Sequence, residues 1–160
     1  MRFSLDDKIL MLDGGMGSLL LSRGLAVGAS PEEWCITHPE VITEIHANYI
    51  RAGARVINTN TFGANPFKMD GDTLRRVIFA AVNSAKRARE IAGECVIALD
   101  IGPSGRMLKP LGDLEFEEAV AALARLTEEQ GGYYESARVD GGGVYDQYAR
   151  PTGYYVIRIP

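Results

Sequence analysis

A chain of 160 residues, 46% hydrophobic and 24% charged, is long enough for one domain with a core and has an ordinary globular composition, which excludes the fibrous and disordered classes. Its net charge of −4 comes from interspersed residues with no basic stripe to neutralise phosphates, so no nucleic-acid partner is expected. The opening MRFSLDDKIL lacks the apolar stretch and cleavage site of a signal peptide, and no segment reaches a transmembrane length. Cys35 and Cys95 follow no ligand or framework spacing, so the expected setting is the cytoplasm, with no disulfides and no membrane contact.

Residues 8–13 (KILMLD) form a short apolar run, followed by the turn DGGMG and the start of a helical pattern. A glycine-rich turn after a strand often cradles phosphate, but a carboxylate at its mouth would repel that anion. Asp13 suits an ammonium, a hydroxyl or a neutral donor. The stretch PEVITEIHANYIRAG places Val41, Ile42, Ile45, Tyr49 and Ile50 on one helical face, with Thr37 and Glu40 as a capping box and Gly53 as a stop. His38 and His46 are expected to cap that helix or lie on its surface. The run at 55–60 (RVINTN) is a second strand. Next comes a helix opened by Asp72 and closed by Gly93, carrying Leu74, Val77, Ile78, Ala81, Ala85, Ala88 and Ile91 on one face. The run at 95–100 (CVIALD) is a third strand, and residues 114–129 form a third long helix with Phe116, Val120, Leu123 and Leu126 on its apolar side.

Continuous apolar strands alternating with amphipathic helices imply βαβ units around a parallel sheet, an α/β fold. Three such strands are less than half of a (β/α)₈ barrel, which needs roughly 250 residues. In open sheets and barrels alike, the C-terminal ends of parallel strands converge on the ligand crevice. Asp13, Asn60 with Thr59 and Thr61, and Asp100 hold that position on the three successive strands and feed glycine-containing loops. After Gln130 the pattern breaks. The last thirty residues hold six of the seven tyrosines and six of the eighteen glycines, with YYVIRI as a strand candidate. Residues 1–130 are therefore read as one unit. Residues 131–160 are read as a divergent Gly/Tyr-rich tail, disordered or non-native, with a small β-hairpin as the alternative.

The segments LDGGMGSLL, PEEWCITHPEVITEIHANYIRAGA, INTNTFGAN and ALDIGPSGRMLKPLGDLEFEEAV resemble, in order and spacing, the first strands and helices of the homocysteine S-methyltransferase family over about residues 8–128. They are similar in particular to the amino-terminal part of cobalamin-dependent methionine synthase. The resemblance implies the opening βα units of a (β/α)₈ TIM-type barrel. It also implies homocysteine as substrate, bound as a thiolate to zinc held by three cysteines, and methyl transfer from methylcobalamin or another donor. Zinc is needed because a free thiol, with a pKa of about 8.5, is mostly protonated at neutral pH. By the same resemblance Asp13, Gly14 and Gly15 hold the amino-acid end, the carboxylate toward the α-ammonium and nearby N–H groups toward the α-carboxylate. Glu135, in YYES, is the counterpart of a glutamate that follows the family's fourth strand. The substrate-binding set is then Asp13, Gly14, Gly15, Asn60, Thr61, Asp100 and Glu135.

The family's zinc cysteines lie in later strands, including a GGCC-type turn, and this sequence has no match to them; Cys35 and Cys95 read as packing residues. No metal ligand or catalytic residue is assigned, and a chain truncated in this way is expected to be inactive alone. Two alternatives stay open. One is a non-catalytic half-barrel that binds an amino acid or self-associates through an open sheet edge. The other is an unrelated α/β enzyme with Asp13 and Asp100 as acid and base.

Overall fold

The computed structural model describes residues 11–128, 133–136 and 155–159. Among the described residues, five helices and four strands follow in chain order: α1 (Met16–Ser22), α2 (Trp34–Thr37) after a 3₁₀ turn (Pro31–Glu33), α3 (Pro39–Arg51), β1 (Val56–Asn58), α4 (Gly71–Ala92), β2 (Val96–Ala98), α5 (Phe116–Glu128), β3 (Tyr133–Ser136) and β4 (Tyr155–Ile159). No helix among the described residues is long and apolar enough to cross a membrane.

β1 and β2 are parallel, with Val56 opposite Val96 and Asn58 opposite Ala98. Of the expected first strand, residues 11–13 run beside β1 as a single bridge: Leu12 pairs with Val56 in parallel, and the Asp13 N–H donates to the Val56 carbonyl at 3.0 Å. Its residues 8–10 lie outside the described set. β1 and β2 are buried on both faces, as continuous apolar runs require, whereas Met11 and Leu12 of the first run are exposed, contrary to that expectation. Ile57, Ile97 and Leu99 pack under α3 and α4 with Ala47, Ile50, Val77 and Ile78, while Val56, Val96 and Ala98 cluster together. A separate cluster joins Leu20, Leu25 and Cys35 to Ile42 and Ile45.

The sheet order is β1-β2-β4-β3, and it departs from an all-parallel arrangement. β4 runs antiparallel to both β2 and β3. A β2 edge must pair its N–H and C=O groups, and the apolar, β-prone YVIRI segment fills that place. Residues 131, 132, 137–154 and 160, on which the reading of the tail as disordered, non-native or a hairpin also rests, lie outside the described set.

Several helix details differ from expectation. α4 is capped by Asp70, whose carboxylate accepts from the Thr73 N–H at 3.0 Å, and not by Asp72; Gly93 closes it. There is no Thr37 capping box on α3, because Thr37 ends α2 and its hydroxyl donates back to the Glu33 carbonyl at 3.1 Å. Pro39 opens α3 instead, where its missing N–H costs nothing. His38 is exposed and stacks on Trp34, but His46 is fully buried in α3, not on its surface. Ile91 is 58% exposed, since α4 has 22 residues against 13 in α3 and outruns its cover. Phe116 is also exposed, and Leu114, just before α5, takes the buried place. The side chains of Val120, Leu123 and Leu126 lie outside the described set.

Candidate functional site

A cleft of about 340 Å³ opens where the C-terminal ends of the parallel strands meet α1 and the 3₁₀ turn. Asp13, Gly14, Gly15, Asn60 and Asp100 all line it, so the strand-end reasoning brings five of the expected residues to one place. Asn58, Thr59, Phe62 and Glu32 complete much of the wall.

Asp13 is held firmly. Its Oδ2 accepts from the Asn58 backbone N–H at 2.9 Å and its Oδ1 from the Asn58 side-chain amide at 2.8 Å. Each carboxylate oxygen keeps a second lone pair for a ligand donor. Burial raises the Asp13 carboxyl above its ordinary range, the two Asn58 donors oppose that rise, and the charge of Asp100 adds to it. Asp100 is likewise raised, by burial and then by Glu32. Gly14 lies against the Tyr49 ring: a Cβ there would sit 2.8 Å from the phenolic oxygen, which donates to the Gly15 carbonyl at 3.3 Å. The glycine lets α3 approach the turn.

Asn60 spends its amide nitrogen within the protein. Its Nδ2 donates to the Pro31 carbonyl at 2.7 Å and to the Cys35 sulfur at 3.4 Å, which ties the 3₁₀ turn to the end of β1. Thr61 does not line the cleft. Its hydroxyl donates to the Asp100 carbonyl at 2.7 Å, which leaves the Thr59 hydroxyl to donate to Thr61 at 2.7 Å. Thr59 in turn accepts from the Asp100 N–H at 3.2 Å, closing a ring that locks the two strand ends together. Glu135 lies in β3 opposite Val156, separated from β2 by β4, and its side chain is outside the described set.

Sequence reasoning missed Asn58 and Glu32. Asn58 shares its strand face with Asn60, which was the available signal. Glu32 is 6% exposed, with Oε1 accepting from the Gly63 N–H and Oε2 from the Ser30 hydroxyl, both at 2.7 Å. A Cβ at Gly63 would sit 2.6 Å from Glu32 Oε1. Gly63→Ala should therefore destabilise by about 1–3 kcal/mol in urea unfolding, as overpacking does; an unchanged midpoint would mean that the Glu32 side chain yields freely.

The cleft lining carries three carboxylates and no Lys or Arg. The homocysteine S-methyltransferase family model matches residues 10–142. The chain belongs to the homocysteine S-methyltransferase family. It is 33% identical over 114 residues to the homocysteine S-methyltransferase of Escherichia coli K12, covering 62% of this chain and 37% of that protein. It is 30% identical to the methionine synthase of Mycobacterium tuberculosis, covering 70% of this chain and 10% of that protein. Among solved structures, the metallated form of the homocysteine methyltransferase MmuM from Escherichia coli superposes with a TM-score of 0.56 at 30% identity, over 82% of this chain and 45% of that one. The chain thus spans less than half the length of each of these relatives.

The described residues of this homocysteine S-methyltransferase family member do not fit the three-thiolate metal site that the resemblance implies. Cys35 and Cys95 are both buried, in separate core clusters. Burial pushes their thiols up to about 12 and about 11, so both are protonated near neutral pH. Among the described residues, no group of three or more His, Cys, Asp or Glu is placed to hold a metal ion.

Proposed function

We propose that the cleft binds the amino-acid end of homocysteine, within a (β/α)₈ barrel whose opening βα units this chain supplies, in an enzyme that transfers a methyl group to the homocysteine sulfur. The observation that carries this reading is a small cleft lined by Asp13, Glu32 and Asp100 without a basic side chain. Such a lining favours a cationic group, and in a partly buried site the attraction exceeds its value in water. Asp13, at the first turn, receives the α-ammonium, and backbone N–H groups of the Gly14–Gly15 turn receive the α-carboxylate. The cleft volume falls in the range of small-ligand sites, whose polar groups fix orientation. Neither metal activation of the thiol nor the choice of methyl donor is assigned to the described residues.

Calorimetric titration of L-homocysteine tests the ammonium contact. Asp13→Asn should weaken binding by about 1.5–3 kcal/mol, the range for a hydrogen bond to a charged group. The analogue 4-mercaptobutanoate, which lacks the amine, should bind both forms alike. Equal homocysteine affinity for the two forms would reject the role given to Asp13.

A further inference from the structure

We propose that Asn58 is the positioning residue for Asp13, a two-point clamp that fixes the direction of the carboxylate into the cleft; this rests on reading Asp13 as the partner of the ammonium. Asp13 and β1 exchange bonds in both directions. The Asp13 N–H donates to the Val56 carbonyl at 3.0 Å, and two residues along β1 the Asn58 N–H and amide donate to the two carboxylate oxygens. One donor would leave the carboxylate free to rotate about its terminal torsion, which has broad, roughly two-fold wells. Two donors on two oxygens fix that rotation and leave the remaining lone pairs facing outward.

The charged surroundings make the clamp consequential. Asp100 at the end of β2 and Glu32 in the 3₁₀ turn line the same cleft, Cys95 lies at the start of β2, and no Lys or Arg is in the lining. Facing like charges and partial burial, the ionised form of Asp13 depends on hydrogen-bond donors, and Asn58 supplies one to each oxygen. Its backbone N–H survives substitution; its side-chain amide does not.

Carboxyl carbon NMR on the full chain reads this directly. In Asn58→Ala, and in the near-isosteric apolar variant Asn58→Leu, the Asp13 titration midpoint should move to higher pH, and homocysteine affinity at neutral pH should fall roughly tenfold. A merely structural Asn58 would leave the midpoint in place. An unmoved Asp13 midpoint in either folded variant overturns the clamp. So does unchanged affinity in the Asn58 variants when Asp13→Asn weakens binding. If Asp13→Asn itself binds homocysteine normally, the ammonium reading fails, and the Asp13 midpoint alone then decides the role of Asn58.

Discussion

Ile57→Ala should destabilise the chain by about 2–5 kcal/mol, a large part of the roughly 5–15 kcal/mol that holds a typical domain together. Ile57 is fully buried between the sheet and the helices, packed with residues of both α3 and α4. Both helices pack on the sheet and on each other through one continuous buried cluster, Ala47 and Ile50 of α3 with Leu74, Val77 and Ile78 of α4. They cannot close over the lost side chain without giving that packing up, so a cavity remains and adds to the lost transfer energy. Since the next residue is Asn58, loosening β1 should also weaken amino-acid binding. Urea unfolding measures the first effect. A loss below about 1 kcal/mol would show that the site collapses around alanine, contrary to the packing described.

Acidification should cost about 3 kcal/mol of stability through His46 alone. This residue is 0% exposed, and neither ring nitrogen has a hydrogen-bond partner among the described residues. Burial lowers its pKa from 6.5 to about 4. The unfolded chain therefore takes up a proton near pH 6.5, while the folded chain resists until about pH 4. Between those values the unfolded state binds more protons, so stability falls as pH falls, by about 1.4 kcal/mol per unit. Asp13 and Asp100 act in the opposite direction, because their raised folded-state pKa values let the folded chain bind protons first. Their contribution enters at the acid end of the window. Comparison with His46→Leu cancels that background: the variant should lose the His46 part of the slope and be more stable than the parent at pH 5 relative to pH 8. Parallel stability curves for the two forms would mean that His46 takes up its proton in the folded chain as readily as in the unfolded one.

The rim was legible in the sequence because parallel direction and strand ends are local facts. Once 8–13, 55–60 and 95–100 read as parallel, Asp13, Asn60 and Asp100 had to share an end, and all three line the cleft. Which atoms face a ligand was not legible. Asn60 spends its amide on Pro31 and Cys35, and Asp13 is held by Asn58 from 45 residues away, contacts that depend on how the loops fold back. Glu32 gave no sign, since an acid in PEEW looks like an exposed helix start until the Gly63 N–H is brought to it. His46 escaped for a different reason. Periodicity marks the centre of a buried stripe, whereas the buried arc of α3 is wider and also takes in Thr43 and His46. The direction of β4 had no local signal, because a short apolar run pairs equally well either way.

That reversed strand divides the sheet by how it opens. β4 meets β2 through the pairs Ile97↔Ile159 and Ala98↔Arg158, whereas its register with β3 runs from Tyr133↔Arg158 to Ser136↔Tyr155. The shorter ladder gives way first. In native-state hydrogen exchange the β3–β4 pair then leaves β2 as one body with its own amide bonds intact, while the β1–β2 ladder, whose Ile57 and Ile97 lie buried beneath two helices, stays protected.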